Sequence, residues 1–253
     1  MIEGEAERLV DAAWPAPHRV RAGEWVYRHA GGVTKRANSV LAVGEPPEGI
    51  AAAVDAAERH YASLGTPCVF SMGPGAPEGL DAELARRGYA LADPTLIMTA
   101  SLGTACDGAP EEEVGMAEEP FPAWLRAWWR VDGRYGDAGD AEGAALDTAL
   151  GTASRILGGV PARYAWRGPR EAPYGVGRGV AQGDWYGIYC MAVLPGARRA
   201  GHARSVLRAL LSDAEQQGAK RAYLVVTEAN TAARALYERA GFTESGRYHY
   251  RVG

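Results

Sequence analysis

Two arginines, two glycines and three alanines lie in the stretch between an apolar run and an amphipathic one, Val193-Leu-Pro-Gly-Ala-Arg-Arg-Ala-Gly-His-Ala203. Trp185–Val193 reads as a buried strand. A helix is predicted from about Ala203 to Gln217, with Val206, Leu207, Leu210, Leu211 and Ala214 on one face. A helix N-terminus offers backbone N–H groups with no intrahelical partner and the positive end of the helix dipole. Small residues let a phosphate approach those groups. The corner is therefore expected to hold a phosphorylated cofactor. No Gly-Lys-Ser/Thr follows, so it is not a Walker A loop. No Gly-x-Gly-x-x-Gly opens the helix, so it is not a dinucleotide fingerprint.

A second constellation follows the apolar, β-branched run Ala222–Thr227, which reads as a strand. Asn230 is a good N-cap. Thr231 to Ala240 places Ala233, Leu236, Tyr237 and Ala240 on one helical face, and Gly241 is placed to end the helix. Arg198-x-x-Gly201-x-Ala203 and Asn230-x-x-Ala233-x-x-Leu236-Tyr237-x-x-x-Gly241-Phe242 together resemble, in order and separation, the two cofactor motifs of the GNAT superfamily. That superfamily comprises the acyl-CoA-dependent N-acetyltransferases.

The resemblance implies that acetyl-CoA is the acyl donor. It implies that backbone groups of Met191, Ala192 and Val193 meet the thioester and pantetheine arm. Arg198, Arg199, Ala200, Gly201, His202, Ala203 and Arg204 would wrap the pyrophosphate, with Asn230 and Ala233 beside it. The arginine side chains could add charge-assisted contacts, although a solvated surface role suits Arg199 as well. Tyr237 maps to the general acid that protonates the leaving thiolate; a core tyrosine is the plainer alternative. For the general base, Asp184 before one strand and Glu228 after the next are the candidates, each also explicable as a surface carboxylate. Trp124, Trp128 and Trp129 fall on the helical segment that lines the family's acceptor groove, where core packing competes with substrate contact.

The elements that must position these residues form two halves. Leu102–Glu113 is polar, with Gly, Pro and an acidic run, and suggests a division into residues 1–102, a linker at 103–113, and residues 114–253. In the second half helices are expected at Phe121–Trp129 and Ala144–Leu157, and strands at Glu112–Ala117, Ala162–Arg167, Gly175–Gln182 and near Arg247–Val252. In the first half strands are expected at Glu24–His29, Ala37–Val43, Cys68–Met72 and Leu96–Ser101, and helices at Gly49–Leu64 and Leu80–Arg87. Gly88-Tyr89 echoes Gly241-Phe242. Trp25-Val-Tyr-Arg28 with Thr34-Lys-Arg-Ala-Asn38-Ser39 resembles the N-terminal region of two-domain bacterial GNAT proteins. The expectation is an α/β (α+β) chain of tandem GNAT-like folds, a mixed central sheet flanked by helices, with the C-terminal copy complete. The first copy is expected to be degenerate: Gly-Glu-Pro-Pro-Glu-Gly49 replaces the phosphate loop, its prolines remove N–H donors and its carboxylates repel a phosphate.

The remaining features set limits. A net charge of −4 argues against nucleic acid, and so against a tRNA-dependent transferase, the chief competing activity. A non-catalytic CoA-binding sensor is the other alternative. Cys68, Cys106 and Cys190 have no metal-type spacing and suit a reducing cytoplasm. Met1-Ile-Glu-Gly-Glu carries no basic, apolar leader, and no apolar run is long enough to span a membrane. The expected partner is a small-molecule amine or a peptide; its identity and the oligomeric state are not written in these motifs.

Overall fold

A computed structural model describes residues 4–103, 113–131 and 142–253. The proposed linker at 103–113, and Cys106, fall almost wholly outside them. In chain order the first half contains α1 (Glu5–Ala13), β1 (His18–Ala22), β2 (Trp25–His29), β3 (Val40–Leu41), α2 (Ile50–Ser63), β4 (Val69–Met72), α3 (Leu80–Arg86) and β5 (Ala90–Ser101). The second contains β6 (Gly115–Ala117), α4 (Pro122–Trp129), α5 (Gly143–Leu157), β7 (Arg163–Arg167), β8 (Gly175–Gln182), β9 (Trp185–Val193), α6 (His202–Gln216), β10 (Arg221–Thr227), α7 (Thr231–Arg239) and β11 (Thr243–Val252).

The two halves repeat one pattern. β1–β2–β3 and β7–β8–β9 are antiparallel runs. β3–β4 and β9–β10 are parallel pairs, joined across α2 and α6. α3 and α7 then end alike. Gly88 (φ +89°) and Gly241 (φ +86°) follow them, and Tyr89 N–H reaches back to Leu84 O as Phe242 N–H does to Tyr237 O, both at 3.0 Å. This left-handed glycine cap is the physical content of the Gly-aromatic echo.

The halves share one sheet, in the order β1-β2-β3-β4-β11-β5-β10-β9-β8-β7-β6. Their last strands are exchanged. β5 of the first half pairs antiparallel with β10, and β11 of the second with β4. β5 and β11 also pair with each other at the centre. Apolar alternation fills both faces. α1, α4 and α5 pack Trp14, Trp124, Trp128 and Ile156 against Tyr189 and Tyr223. On the other face α6 and α7 pack Val206, Leu210, Leu211 and Tyr237 against Ile188 and Leu224. Around α2 and α3 the core is Trp25, Val54, Tyr61, Phe70, Leu84 and Tyr89.

Several expectations change. Ala37–Val43 is not one strand: Lys35–Ala37 is a 3-10 turn and only Val40–Leu41 pairs. Asn38 is the reason. Its side chain bonds the main chain of Ala30, Gly32, Val33 and Thr34, a local alternative to a strand ladder. β5 begins at Ala90 rather than Leu96, since Pro94 disguises its first half, and β11 begins at Thr243 rather than near Arg247. α1 and β1 lie in residues for which no element was expected.

Candidate active site

β9 and β10 are in register only from Arg221↔Trp185 to Leu224↔Ile188. Beyond Ile188 the two parallel strands part. On its other edge β9 carries a bulge against β8, between the pairs Val176↔Ala192 and Arg178↔Tyr189, and Cys190 in the bulge has φ +55°. The extra residue shifts the alternation: Ile188 and Met191 join one core face, while Tyr189, Cys190 and Ala192 join the other. Backbone N–H and C=O groups at this end of β9 are therefore taken out of the β10 ladder.

A cavity of about 170 Å³ occupies the gap. Trp14 and Trp128 line it from one side of the sheet, and Ala233 and Tyr237 of α7 from the other; Met191, Thr227 and Asn230 lie between. Asn230 caps α7, its side-chain oxygen accepting from Ala233 N–H at 3.1 Å. Tyr237 is buried and packs edge-on against Phe242, with ring centroids 6.1 Å apart.

The phosphate-loop candidate lies at the start of α6. A 3-10 turn at Pro195–Ala197 leads into it, Arg199 has φ +69°, and Gly201, at φ +83°, is the N-cap. Ser205 N–H to Gly201 O, at 3.0 Å, is the first turn's hydrogen bond, so the N–H groups of His202, Ala203 and Arg204 point along the axis into the loop. Arg198, Arg199, Ala200, Gly201 and Arg204 are exposed; Arg198 Nε donates to Val193 O at 3.2 Å. The His202 ring packs on Tyr174, and burial, then the Arg167 charge, lower its pKa. A Cβ on Gly177 of β8 would come within 2.7 Å of Val206, so this glycine lets α6 settle on the sheet. Small residues, outward N–H groups and flanking arginines fit a pyrophosphate.

Met191, Asn230, Ala233 and Tyr237 thus come together at the cavity, with Ala192 and Val193 continuing β9 toward the α6 loop. The two base candidates do not join them. Asp184 stands at the opposite end of β9, half exposed, with Lys220 Nζ 3.1 Å away. Glu228 follows β10 but turns to Arg247, 2.6 Å away. Of the three tryptophans only Trp128 reaches the cavity; Trp124 Nε1 donates to Ala165 O at 2.9 Å, inside the core.

Other lining residues escaped the sequence reading: Trp14, Lys35, Arg36, Asp93, Thr95, Tyr248 and Tyr250, all from the first half or from β11. Asp93 is the cavity's carboxylate among the described residues. A bulge on β5, between the pairs Thr95↔Tyr248 and Ala92↔Tyr250, gives it φ +48°. Lys35 Nζ lies 3.2 Å from it. A proline inside a strand is the signal that could have marked this bulge. Tyr189 and Tyr223 place their hydroxyls 2.5 Å apart, and Tyr223 donates to Gln182 Oε1 at 2.6 Å. Burial raises both phenol pKa values, so neither ionises near neutrality.

Residues 5–251 match the family model described as Probable histone acetyltransferase Rv0428c C-terminal. The chain is 30% identical over 269 residues to the Uncharacterized N-acetyltransferase YobR of Bacillus subtilis (strain 168), covering 97% of this chain and 96% of the relative. Among solved structures it is similar in fold to a GCN5-related N-acetyltransferase from Kribbella flavida, with TM-score 0.67 and 16% identity over 98% of this chain and 95% of that one. It is also similar to a tandem GNAT protein from the clavulanic acid biosynthesis pathway, with TM-score 0.61 and 15% identity over 98% and 87%.

Proposed function

Because the chain belongs to the GNAT superfamily of N-acetyltransferases, we propose that it moves an acetyl group from acetyl-CoA to a primary amine of a small molecule or peptide, by direct transfer in a ternary complex. The chain is an acyltransferase. The observation that carries the finer reading is the parting of β9 from β10 beyond Ile188, with a cavity in the gap and the α6 N-terminus at its end.

In this reading the loop Arg198–Arg204 receives the pyrophosphate on its N–H groups, and the freed main chain of Met191–Val193 receives the pantetheine arm and the thioester oxygen. Acetyl-CoA supplies an activated acyl group. Asn230 and Ala233 hold the start of α7 against it. The Tyr237 hydroxyl would hand its proton to the departing sulfur. In place of Asp184 and Glu228, Asp93, which lines the cavity beside Lys35, would receive the ammonium of the incoming amine and take a proton from it before attack. Residues 114–253 would bind the donor, and 1–102, a degenerate copy, would supply the acceptor wall.

No helix among the described residues is long and apolar enough to cross a membrane; a cytoplasmic location belongs to the same proposal. Calorimetry with acetyl-CoA tests the donor site, with one site per chain expected. Release of free CoA thiol over a panel of primary amines tests transfer. Tight acetyl-CoA binding with no turnover on any amine would favour the sensor alternative.

A further inference from the structure

Arg28 and Arg178 are almost wholly buried, and each is matched to acceptors. Arg28 donates to the Asp11 carboxylate at 3.1 Å and to the carbonyl and hydroxyl of Ser39 at 3.0 and 2.8 Å. Arg178 donates to Ala13 O at 2.8 Å and Leu157 O at 2.7 Å. These are the last residues of α1 and α5, where helix dipoles place partial negative charge.

Arg36 is different. It lines the cavity, its guanidinium 4.7 Å from the Trp14 ring centroid and 5.7 Å from that of Tyr189. Its Nε is buried without an acceptor, and no carboxylate among the described residues is ion-paired with it. Glu7, which shares a second cavity of about 20 Å³ with Arg36, accepts from Gly75 N–H through Oε1 at 2.7 Å, and its buried Oε2 makes neither a hydrogen bond nor an ion pair with Arg36. Neighbouring Lys35 already has Asp93. A guanidinium keeps its charge at any working pH, and aromatic faces offset only part of its lost hydration.

The turn that presents Arg36 is held rigidly. Thr34 sits at φ +61°, a strained value for a β-branched residue, and its hydroxyl accepts from Trp14 Nε1 at 3.1 Å. Asn38 ties the same turn through four hydrogen bonds of 2.8–3.1 Å. Arg36 thus has the phenols of Tyr189, Tyr248 and Tyr250 around it, with a hydrogen bond to Tyr248, but no paired carboxylate among the described residues, and a ligand carboxylate would supply the missing counter-charge.

We propose that the acceptor is an amine that also carries a carboxylate, and that Arg36 receives that carboxylate in its planar fork. This rests on the acetyltransferase reading above. A carboxylate matches the planar fork, its two oxygens meeting two parallel N–H groups, and a phosphate is the competing anion that the test must separate from it. Recognition of this kind makes Arg36 a specificity-determining residue, with Asp93 on the ammonium side of the same zwitterion.

Matched amines test it: amino acids with the amine α, β or γ to the carboxylate, their primary carboxamides, a phosphorylated alkylamine and uncharged diamines. The wild type is expected to favour the best acid over its amide in kcat/KM on the order of 10- to 100-fold. Arg36→Met should bring the pair near parity by raising KM for the acid, with acetyl-CoA affinity unchanged by calorimetry. Arg36→Lys, which keeps the charge, should retain part of the preference and controls for folding. Parity in the wild type, a preference for the phosphorylated amine, or a preference surviving in Arg36→Met overturns the proposal while leaving acetyl transfer intact. Quenching of Trp14 and Trp128 fluorescence by the same pairs reads the cavity with or without turnover. Failure of every acid to bind better than its amide there also overturns it. Absence of acetyl-CoA binding, by contrast, sinks the acetyltransferase reading.

Discussion

Tyr250, in the last strand of the chain, lies in register with Ser71 of β4, deep in the first half. Its other side faces Ala92 of β5, and its side chain is buried. The second half thus completes the first half's sheet, and β5 returns the exchange by pairing its residues Thr95 to Ser101 with the whole of β10. Neither half closes its own sheet edge. We expect residues 1–102 and 114–253, expressed separately, to be insoluble or molten and inactive, because each would expose an unpaired apolar edge. Co-expression should restore a soluble 1:1 complex that binds acetyl-CoA. A monomeric, cooperatively folding 114–253 fragment would contradict the expectation.

Tyr237→Phe keeps the ring that packs on Phe242 and removes only the hydroxyl. If that hydroxyl protonates the thiolate, kcat falls on the order of 10²-fold, with little change in acetyl-CoA affinity. Normal turnover, measured where chemistry is rate-limiting, would leave Tyr237 as a packing residue.

Gly201→Glu puts a negative side chain at the α6 N-cap, where nothing lies within 4 Å of a Cβ. The left-handed backbone costs about 1 kcal/mol, and the carboxylate repels a phosphate. Acetyl-CoA binding should be lost while circular dichroism stays native. An unchanged dissociation constant would place the phosphates elsewhere.

Asn38→Ala removes the four bonds that hold the strained turn before Arg36. Stability should drop by about 2–4 kcal/mol in urea unfolding. In the folded fraction KM for the acceptor should rise while acetyl-CoA affinity holds. An equal effect on both ligands would mean general loosening rather than loss of the acceptor wall.

Asp81 of α3 binds Arg251 through both oxygens at 2.8 Å and His249 at 2.7 Å, clamping β11 from the first half. The hydrogen bond from Arg251, then that from His249, hold its carboxyl at about 2, below the usual 3.8. A depressed carboxylate stabilises the fold fully above the unfolded value and loses that contribution as pH falls through the folded one. Asp81→Asn should therefore destabilise at pH 7 by about 0.5–1 kcal/mol, a modest figure because the pair is half exposed. The difference from wild type should fade between about pH 4 and pH 2. A difference that persists at pH 2 would assign the loss to packing.

The strand, loop and capped helix of the proposed donor side were legible in the chain because their signals are local. Strand, loop and helix start lie within Trp185–Ala203, and Asn230, Tyr237 and Gly241 sit on one short helix and its cap. Each follows from periodicity, capping and the steric freedom of glycine, which act over a few residues. Even the degenerate copy showed itself, through Gly88-Tyr89 and a proline-bearing loop. The opposite wall of the cavity, proposed to receive the acceptor, was not legible. Arg36, Asp93, Trp14 and Tyr250 are scattered from one end of the chain to the other, and nothing in their spacing says they meet. They meet because β5 and β11 cross over, because a bulge turns Asp93 inward, and because Asn38 holds a turn open where alternation alone suggests a strand. Those outcomes depend on strand order and register, which are set by long-range pairing and packing rather than by local preference.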